Sequence, residues 1–276
     1  MKSIRPIPPD PNAIAVLGIP FDANSSFRKG PALAPARIRE SYYSDSANPC
    51  SELGVDLSEL TNLYDAGDVD CGQDAFTAIQ NKVSSLLSRG LKVASLGGDH
   101  SVTLPIIRAH AEHYPQLTIL HLDAHPDLYD SLDNNSFSHA CPFARIMEEF
   151  PHTQLIQGGI RTLTPHCREQ AQKFNVHIYE MKDGIAPLTN LDIQGPVYLS
   201  LDIDCLDPAF APGVSHHEPG GLSTRELLNI IHGLKGELIG ADIVEYNPDR
   251  DWISMTGMVA AKCLKEILAK IHLDLK

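Results

Sequence analysis

An apolar run that ends in alternating metal-ligand side chains is the feature that most constrains this chain. Residues 117–122 read LTILHL, and Asp123, His125 and Asp127 follow. The run predicts a buried β-strand, and side chains two positions apart on a strand point to the same side. Three groups that bind metal ions are therefore expected to leave one end of one strand on one side.

Two further apolar runs end in a similar way. Residues 197–201 precede Asp202 and Asp204, and the run at 91–96 is followed by Asp99 and His100. Solvation is a poor explanation for three apolar strands that each carry an acid or an imidazole at the carboxyl end. Because ligands of open α/β sheets bind outside the carboxyl ends of the strands, we expect a binding site there.

Strand and helix patterns alternate along the sequence, which predicts an α/β fold with one parallel sheet covered by helices on both faces. The eight predicted strands span residues 13–19, 63–66, 91–96, 117–123, 153–158, 176–179, 196–202 and 237–243. The predicted helices span residues 36–42, 74–89, 103–113, 143–149, 165–174, 223–232 and 256–271. No repeat, linker or low-complexity tract interrupts the pattern, so we expect a single domain over residues 1–276.

The composition limits the classes of function. The formal net charge of -13 disfavours binding to nucleic acid or an anionic membrane and suits a cationic small-molecule substrate. No apolar run approaches the ~20 residues of a membrane span, and the start, MKSIRPIPPDPN, has no apolar core of the signal-peptide type. These features predict a cytoplasmic protein that binds neither nucleic acid nor membranes. The cysteines form no CxxC pair, which argues against a zinc ribbon, a thioredoxin-type site and a disulfide scaffold.

Four carboxylates and two imidazoles at the three strand ends are candidate metal ligands. They are His100, Asp123, His125, Asp127, Asp202 and Asp204. One divalent ion rarely uses four carboxylates, whereas two ions ~3.5–4 Å apart share some of them and activate a water molecule. Carboxylates and imidazoles without a thiolate favour Mn²⁺, with Fe, Co, Ni and Zn as alternatives. Cys205 is interpreted as a packing residue, because strand alternation turns it away from Asp204.

Other polar residues have a structural and a functional interpretation. His139 is either a capping or surface histidine or part of the site, and Glu245 is either a solvated strand end or part of the site. Asp207 precedes a proline, which is typical of a turn. His216 and His217 are expected to be exposed. The histidines that fit no ligand pattern are His110, His113, His121, His152, His166, His177, His232 and His272.

Several motifs together resemble the ureohydrolase family of arginases and agmatinases. They are NSSFRKGPALAPARIRE (24–40), GGDHS (97–101), DAHPD (123–127), SHACPFARIME (138–148), SLDIDCLDPAFAPG (200–213), EPGGL (218–222) and GADIVEYNPDRD (240–251). The resemblance covers nearly the whole chain and is strongest to plant-type arginases and microbial agmatinases. It implies a three-layer αβα sandwich around an eight-stranded, mainly parallel sheet.

The resemblance also implies two Mn²⁺ ions per chain and a role for each matching residue. One ion is implied to bind His100, Asp127, Asp123 and Asp202, and the other to bind His125, Asp204 and the same two bridging residues, Asp123 and Asp202. His139 matches the family's proton-shuttling histidine, and Glu245 matches the carboxylate that receives the guanidinium. The implied reaction is attack of an activated water on the guanidinium carbon, protonation of the leaving amine by His139, and release of urea and a primary amine.

The expected substrate is agmatine rather than L-arginine. Animal-type arginases hold the α-ammonium of arginine with acidic residues in the segment that matches GIRTLTP, where this chain has Thr162 and Thr164. Two hydroxyls do not replace carboxylates in pairing a desolvated cation, a contact worth ~1.5–3 kcal/mol. Plant-type arginases lack these acids too, and Asn135 and Ser138 are candidates for binding an α-carboxylate. L-arginine therefore stays the main alternative, followed by guanidinobutyrate and formiminoglutamate.

Two other classes of protein are weighed against a ureohydrolase. Metal-dependent deacetylases resemble this fold, but they use one zinc ion and lack the full second ligand set that the paired DxHxD and DxD motifs supply. A non-enzymatic binding or regulatory protein is disfavoured by the intact ligand set. The family resemblance further suggests a homo-oligomer, either a trimer or a hexamer.

Overall fold

A parallel β-sheet is the central element of the computed structural model, which describes residues 5–6 and 12–276. Its strands are β1 (Arg5–Pro6), β2 (Ile14–Gly18), β3 (Leu63–Asp68), β4 (Lys92–Leu96), β5 (Thr118–Leu122), β6 (Gln154–Ile160), β7 (His177–Glu180), β8 (Pro196–Asp202) and β9 (Glu237–Val244). Their order is β1-β3-β2-β4-β9-β8-β5-β6-β7, and every neighbouring pair is parallel. Because β1 is a 2-residue pairing at the sheet edge, the eight longer strands are the predicted ones.

The α-helices between the strands also lie where the sequence predicts them. Within the described ranges they are α1 (Ala34–Tyr42), α2 (Ala75–Leu87), α3 (Thr103–His113), α4 (Pro142–Glu149), α5 (Pro165–Lys173), α6 (Thr224–Gly233) and α7 (Met255–Asp274). The capping box that opens α6 is present. Ser223 Oγ accepts a hydrogen bond from the Glu226 amide at 3.2 Å, and the Glu226 carboxylate accepts one from the Ser223 amide at 2.7 Å. The two bonds satisfy backbone donors that a helix start leaves free.

Alternate strand residues face two separate apolar cores. Ile14 and Val16 of β2 pack in one core with α1, α6 and α7, whereas Ala15 and Leu17 pack in the other with α2, α3 and α4. The strands are therefore covered on both faces, which gives the three-layer αβα arrangement and confirms the predicted fold class. Each fully buried aliphatic side chain contributes about 1.5–3 kcal/mol to this packing.

The centre of the sheet gathers the strands that carry polar residues. The adjacent strands β4, β9, β8 and β5 are all parallel, so their carboxyl ends meet at one edge. β4 and β5 follow each other in the sequence but are separated by β9 and β8, which opens a crevice between their ends. Crevices of this kind are the usual ligand sites of open α/β sheets.

The cysteines and the helix lengths also agree with the sequence. All six cysteines are free, and Cys205 is a fully buried core residue, as interpreted from the sequence. No helix in residues 12–276 is both long and apolar enough to cross a membrane.

Candidate metal centre

His100 lies at the bottom of the crevice, in the short 3-10 helix that follows β4. Its ring is fully buried, and Nδ1 stands 3.1–3.2 Å from one carboxylate oxygen each of three aspartates, namely Asp123, Asp127 and Asp202. Nδ1 has no hydrogen-bond partner in the described chain. A buried imidazole nitrogen that faces three carboxylates without a hydrogen bond fits the coordination of a divalent cation.

A second group of ligands lies beside the first. His125 Nδ1 is 3.1 Å from Asp204 Oδ2 and 3.3 Å from Asp123 Oδ1, and these three residues form a cluster that could hold a metal ion. Asp123 faces both histidines, because its other oxygen, Oδ2, lies 3.2 Å from His100. Asp123 is therefore placed between two halves of one ligand cluster, as a bridging carboxylate would be.

We call His100, Asp127, Asp202 and Asp123 Oδ2 the inner half, and His125, Asp204 and Asp123 Oδ1 the outer half. The structure brings all six predicted ligands together in these two halves. Asp202 does not face both histidines as Asp123 does. Its Oδ2 faces His100, but its Oδ1 accepts a hydrogen bond from the Asp204 amide at 2.8 Å. Whether it bridges two ions stays a prediction.

Burial and charge in the cluster favour bound cations. Burial raises the pKa of Asp202 and Asp204, and their repulsion with neighbouring carboxylates raises both further. Burial acts on Asp123 in the same direction, but its close contacts with the imidazoles of His100, His121 and His125 outweigh it and hold the pKa of Asp123 well below its usual range. Such close, buried carboxylates are unfavourable together unless cations neutralise them, so the donor set fits divalent metal ions.

A hydrogen-bonded chain behind His100 fixes the orientation of its ring. His100 Nε2 lies 3.0 Å from Ser200 Oγ, which donates to Asp242 Oδ1 at 2.8 Å. Asp242 Oδ2 accepts further hydrogen bonds from Tyr198 and Thr103. Nε2 is therefore assigned as the donor, which leaves Nδ1 as the free acceptor toward the metal. Asp242 was not among the predicted site residues, although an acid inside the apolar β9 segment was a visible signal.

His121 also has a place in this network, contrary to the expectation that it belongs to no ligand pattern. Its Nε2 lies 2.8 Å from Asp123 Oδ2, and its Nδ1 lies 2.9 Å from Gln157 Nε2. Burial lowers the pKa of His121, so the ring is neutral and donates from Nε2 to Asp123. It thereby orients the carboxylate that both halves share. Its position two residues before Asp123, on the same side of β5, was the available signal.

His139 and Glu245 form a second polar pair beside the cluster. His139 Nδ1 lies 2.8 Å from Glu245 Oε1, and its Nε2 lies 2.8 Å from Ser26 Oγ. Burial lowers the pKa of His139, but the Glu245 carboxylate outweighs this effect and raises the pKa to about 9. Glu245 Oε1 also accepts a hydrogen bond from the His100 amide at 2.9 Å. Glu245 Oε2 has no such partner among the described residues and is free for a ligand.

Two of the site residues have a backbone conformation that L-amino acids rarely adopt. Asp127 has φ of 46° and Glu245 has φ of 62°, both in the left-handed region. Such conformations cost about 1–3 kcal/mol each and persist where surrounding contacts impose them. Here they turn the two carboxylates toward His100 and His139. No pattern in the sequence predicts them.

The cluster opens into a cleft of about 250 Å³. Its lining includes His125, His139, Glu245, Thr162 and Thr164. Asn135 and Ser138 do not line it. The Asn135 amide nitrogen donates to Asn24, and Ser138 is buried. Their proposed contact with an α-carboxylate stays a prediction without support from this geometry.

His216 lines the same cleft, and the expectation that it is exposed is wrong. Its ring is half-buried, with its centroid 5.4 Å from that of His139 and 5.8 Å from that of His125. His217, by contrast, is exposed as predicted. Neighbouring residues on one loop thus have opposite environments, which spacing alone does not reveal.

Comparison with known proteins agrees with this geometry. The family model described as "Arginase family" matches residues 12–269. The chain belongs to the arginase family. This arginase-family chain is 46% identical over 275 residues to "Arginase 1, mitochondrial" of Oryza sativa. The alignment covers 93% of this chain and 81% of the rice protein. It is 35% identical over 266 residues to an agmatinase of Bacillus anthracis, covering 92% of this chain and 90% of that protein. The arginase structure from Medicago truncatula matches with a TM-score of 0.88 and 42% identity, covering 94% of this chain and 87% of that one.

Membership of the arginase family makes the protein a metal-dependent ureohydrolase and removes the deacetylase and non-enzymatic alternatives. The family uses a binuclear metal centre, and the clustered histidines and aspartates are suited to one. The expectation of a cytoplasmic protein, however, is wrong. Plant arginases of Oryza sativa and Arabidopsis thaliana that the chain matches are named as mitochondrial proteins, and a second Arabidopsis thaliana arginase is named as chloroplastic or mitochondrial.

Proposed function

We propose that this ureohydrolase hydrolyses L-arginine to L-ornithine and urea. The observation that carries the proposal is the unequal similarity to its relatives, which is 46% to plant arginases and 35% to agmatinases over nearly the same part of the chain. The proposal replaces agmatine, which the sequence favoured because Thr162 and Thr164 stand where animal-type arginases have acids. The absence of those acids does not separate agmatine from L-arginine as the substrate, since plant-type arginases lack them too.

The residues at the bottom of the cleft supply the chemistry around the guanidinium group. The free Glu245 Oε2 is the acceptor proposed for the guanidinium N–H groups, while Oε1 stays with His100 and His139. With a pKa of about 9, His139 is protonated near neutral pH and gives a proton to the leaving amine. Ser26 Oγ holds the other ring nitrogen of His139 and fixes the ring plane.

We propose two Mn²⁺ ions as the cofactor, one in each half of the cluster. Two divalent ions bound there supply Lewis-acid activation of water near neutral pH. The support for manganese is the donor set, which contains carboxylates and imidazoles and no thiolate. Elemental analysis of protein purified with Mn²⁺ tests it, with about two ions per chain expected.

Agmatine is the second candidate substrate. No lysine or arginine from residues 12–276 lines the cleft, so neither of these side chains is present to receive the α-carboxylate of arginine. Agmatine is arginine without that carboxylate and does not need such a contact.

One pair of assays decides between the two substrates. We expect kcat/KM on a Mn²⁺-loaded preparation to be higher for L-arginine than for agmatine. A His139→Asn protein from the same purification controls for contaminating activity. A tenfold preference for agmatine would reverse the assignment.

We also propose that the protein forms a homo-oligomer, a trimer or a hexamer. The support is the family resemblance together with exposed apolar side chains before α7, of which Trp252 is 91% exposed and Ile253 is 65% exposed. Light scattering on the purified protein measures the mass of the particle, and a monomer would contradict the proposal.

A further inference from the structure

One acidic residue of the cleft lining, Glu218, belongs neither to the metal cluster nor to the pair of Glu245 and His139. Glu218 is half-buried, and its carboxylate makes no hydrogen bond or ion pair with any residue of the described chain. The other acids of the lining, Asp127, Asp202, Asp204 and Glu245, all contact a histidine of the site. Glu218 is therefore a negative charge in the cleft that has no partner from the protein.

The loop that carries Glu218 is fixed on both sides of this residue. Before it, the ring of His216 packs against His139 and His125. After it, the Asp207 carboxylate accepts hydrogen bonds from the Gly220 and Gly221 amides at 2.6 and 3.3 Å. The loop therefore holds Glu218 at the cleft on an anchored backbone.

Arg161 anchors the backbone of Glu218 itself. Its guanidinium donates to the Glu218 carbonyl from Nε at 2.8 Å and from Nη2 at 2.5 Å. It also donates to the carbonyls of Asp204, Cys205, Leu206 and Gly159. Because these bonds occupy the guanidinium, Arg161 ties the Glu218 loop to the turn that holds the ligand Asp204. The cation is engaged with the backbone rather than with the Glu218 carboxylate.

The two threonines of the lining offer no charged partner for a ligand. Thr162 Oγ1 donates to the Ala124 carbonyl at 3.0 Å, and Thr164 Oγ1 accepts from the Cys167 amide at 3.3 Å as the cap of α5. Both threonine hydroxyls thus serve the local fold. Outside the metal cluster and the pair of Glu245 and His139, Glu218 is the acid of the lining that offers a complementary charge to a ligand ammonium.

We propose that the Glu218 carboxylate receives the ammonium at the far end of the guanidino substrate. The inference rests on the proposed function, since it takes a guanidino substrate as given. The α-ammonium of arginine and the terminal ammonium of agmatine are the same nitrogen, so Glu218 serves both. It selects instead against guanidino acids that carry a carboxylate and no ammonium, such as guanidinobutyrate, because two like charges repel.

The test compares Glu218→Gln with Glu169→Gln, which removes the same charge from the exposed face of α5. Turnover of L-arginine, agmatine and guanidinobutyrate is measured on Mn²⁺-loaded protein. For Glu218→Gln we expect KM for the two ammonium-bearing substrates to rise about tenfold or more, with a smaller change in kcat, because the contact is the same in ground and transition states. The preference for them over guanidinobutyrate should fall by at least that factor, because the repulsion of guanidinobutyrate is lost too, and Glu169→Gln should keep the wild-type preference.

Product binding separates this inference from the proposed function. Calorimetry with ornithine, putrescine and 4-aminobutyrate needs no turnover, and the Kd of the first two should rise about tenfold or more in Glu218→Gln while that of 4-aminobutyrate does not. If the wild type hydrolyses neither arginine nor agmatine, the proposed function fails and these Kd values still decide the role of Glu218. An equal loss for all compounds would assign Glu218 to loop packing, and an unchanged Kd for ornithine and putrescine would remove it from the site. Either result overturns the inference.

Discussion

The inner and outer halves of the ligand cluster differ in how firmly the protein holds them. The side chain of His100 in the inner half is fully buried, and that of His125 in the outer half is 27% exposed. The ring nitrogen of His100 that faces away from the cluster is held by Ser200, whereas the corresponding nitrogen of His125 has no hydrogen-bond partner in the described chain. The inner half is therefore preorganised, and the outer half carries the histidine that is more exposed in the cleft.

This difference suggests a division of labour between the halves. Hydrogen bonds that orient a metal-binding histidine raise metal affinity, and their loss typically weakens it 10–100-fold. We therefore expect the inner half to bind its ion more tightly than the outer half. The outer half lies beside His216, whose ring contacts that of His125, so changes there should alter turnover more than the stability of the inner site.

The largest effect is expected for Asp123→Ala, because Asp123 faces both halves. The variant should lose both ions and, with them, detectable activity, whereas His125→Ala should lose the outer ion alone. Elemental analysis of both proteins after identical Mn²⁺ loading measures the difference. Retention of one full equivalent by Asp123→Ala would show that the carboxylate is not shared.

His139→Asn should lower kcat by ~10²–10⁴, the usual contribution of general acid–base catalysis. The metal content should match that of the wild type, because His139 contacts Glu245 and Ser26 rather than the ligand cluster. Steady-state kinetics and elemental analysis on one preparation check both statements. A kcat close to that of the wild type would assign His139 a structural role only.

Ser200→Ala should weaken metal binding in the inner half by ~10–100-fold, since it frees the ring of His100 from Asp242. Ser95→Ala is a matched control, because Ser95 is also a buried serine of the sheet and its hydroxyl has no hydrogen-bond partner in the described chain. Titration with Mn²⁺ under calorimetric detection gives the two affinities. If both variants bind like the wild type, the Ser200 contact does not stabilise the inner half.

The pH dependence of kcat should show a smaller effect, which comes from the protonation of His139. The raised pKa keeps His139 protonated, and able to act as an acid, below about pH 9, and this ability is lost as the pH rises through that value. We expect kcat to fall by up to about tenfold per pH unit beyond it in the wild type and to lack this limb in His139→Asn. Identical alkaline limbs in both proteins would assign the titration to another group.

The sequence predicted the fold and the ligand set for one physical reason. Apolar runs such as 117–122 end where the chain leaves the core, so Asp123, His125 and Asp127 mark both a strand end and a site. The structure placed all six predicted ligands together because the strands that carry them lie side by side.

Residues whose role depends on neighbours distant in the sequence escaped prediction. Asp242 supports His100 through Ser200 on another strand, and His216 enters the cleft through ring contacts with His125 and His139. The left-handed backbone of Asp127 and Glu245 is imposed by the surrounding structure rather than by residue type. Strand order and loop closure determine these features, and neither is encoded in a local pattern.

Graded removal of metal tests the comparison between the two halves most directly. Protein loaded with two Mn²⁺ per chain is dialysed against increasing chelator, and the content is followed by elemental analysis. Crystals of the one-ion form then show by anomalous scattering which half stays occupied. We predict that the remaining ion lies with His100, Asp127 and Asp202, and that activity falls as the first ion leaves. A remaining ion at His125 and Asp204, or loss of both ions in one step, would contradict the account.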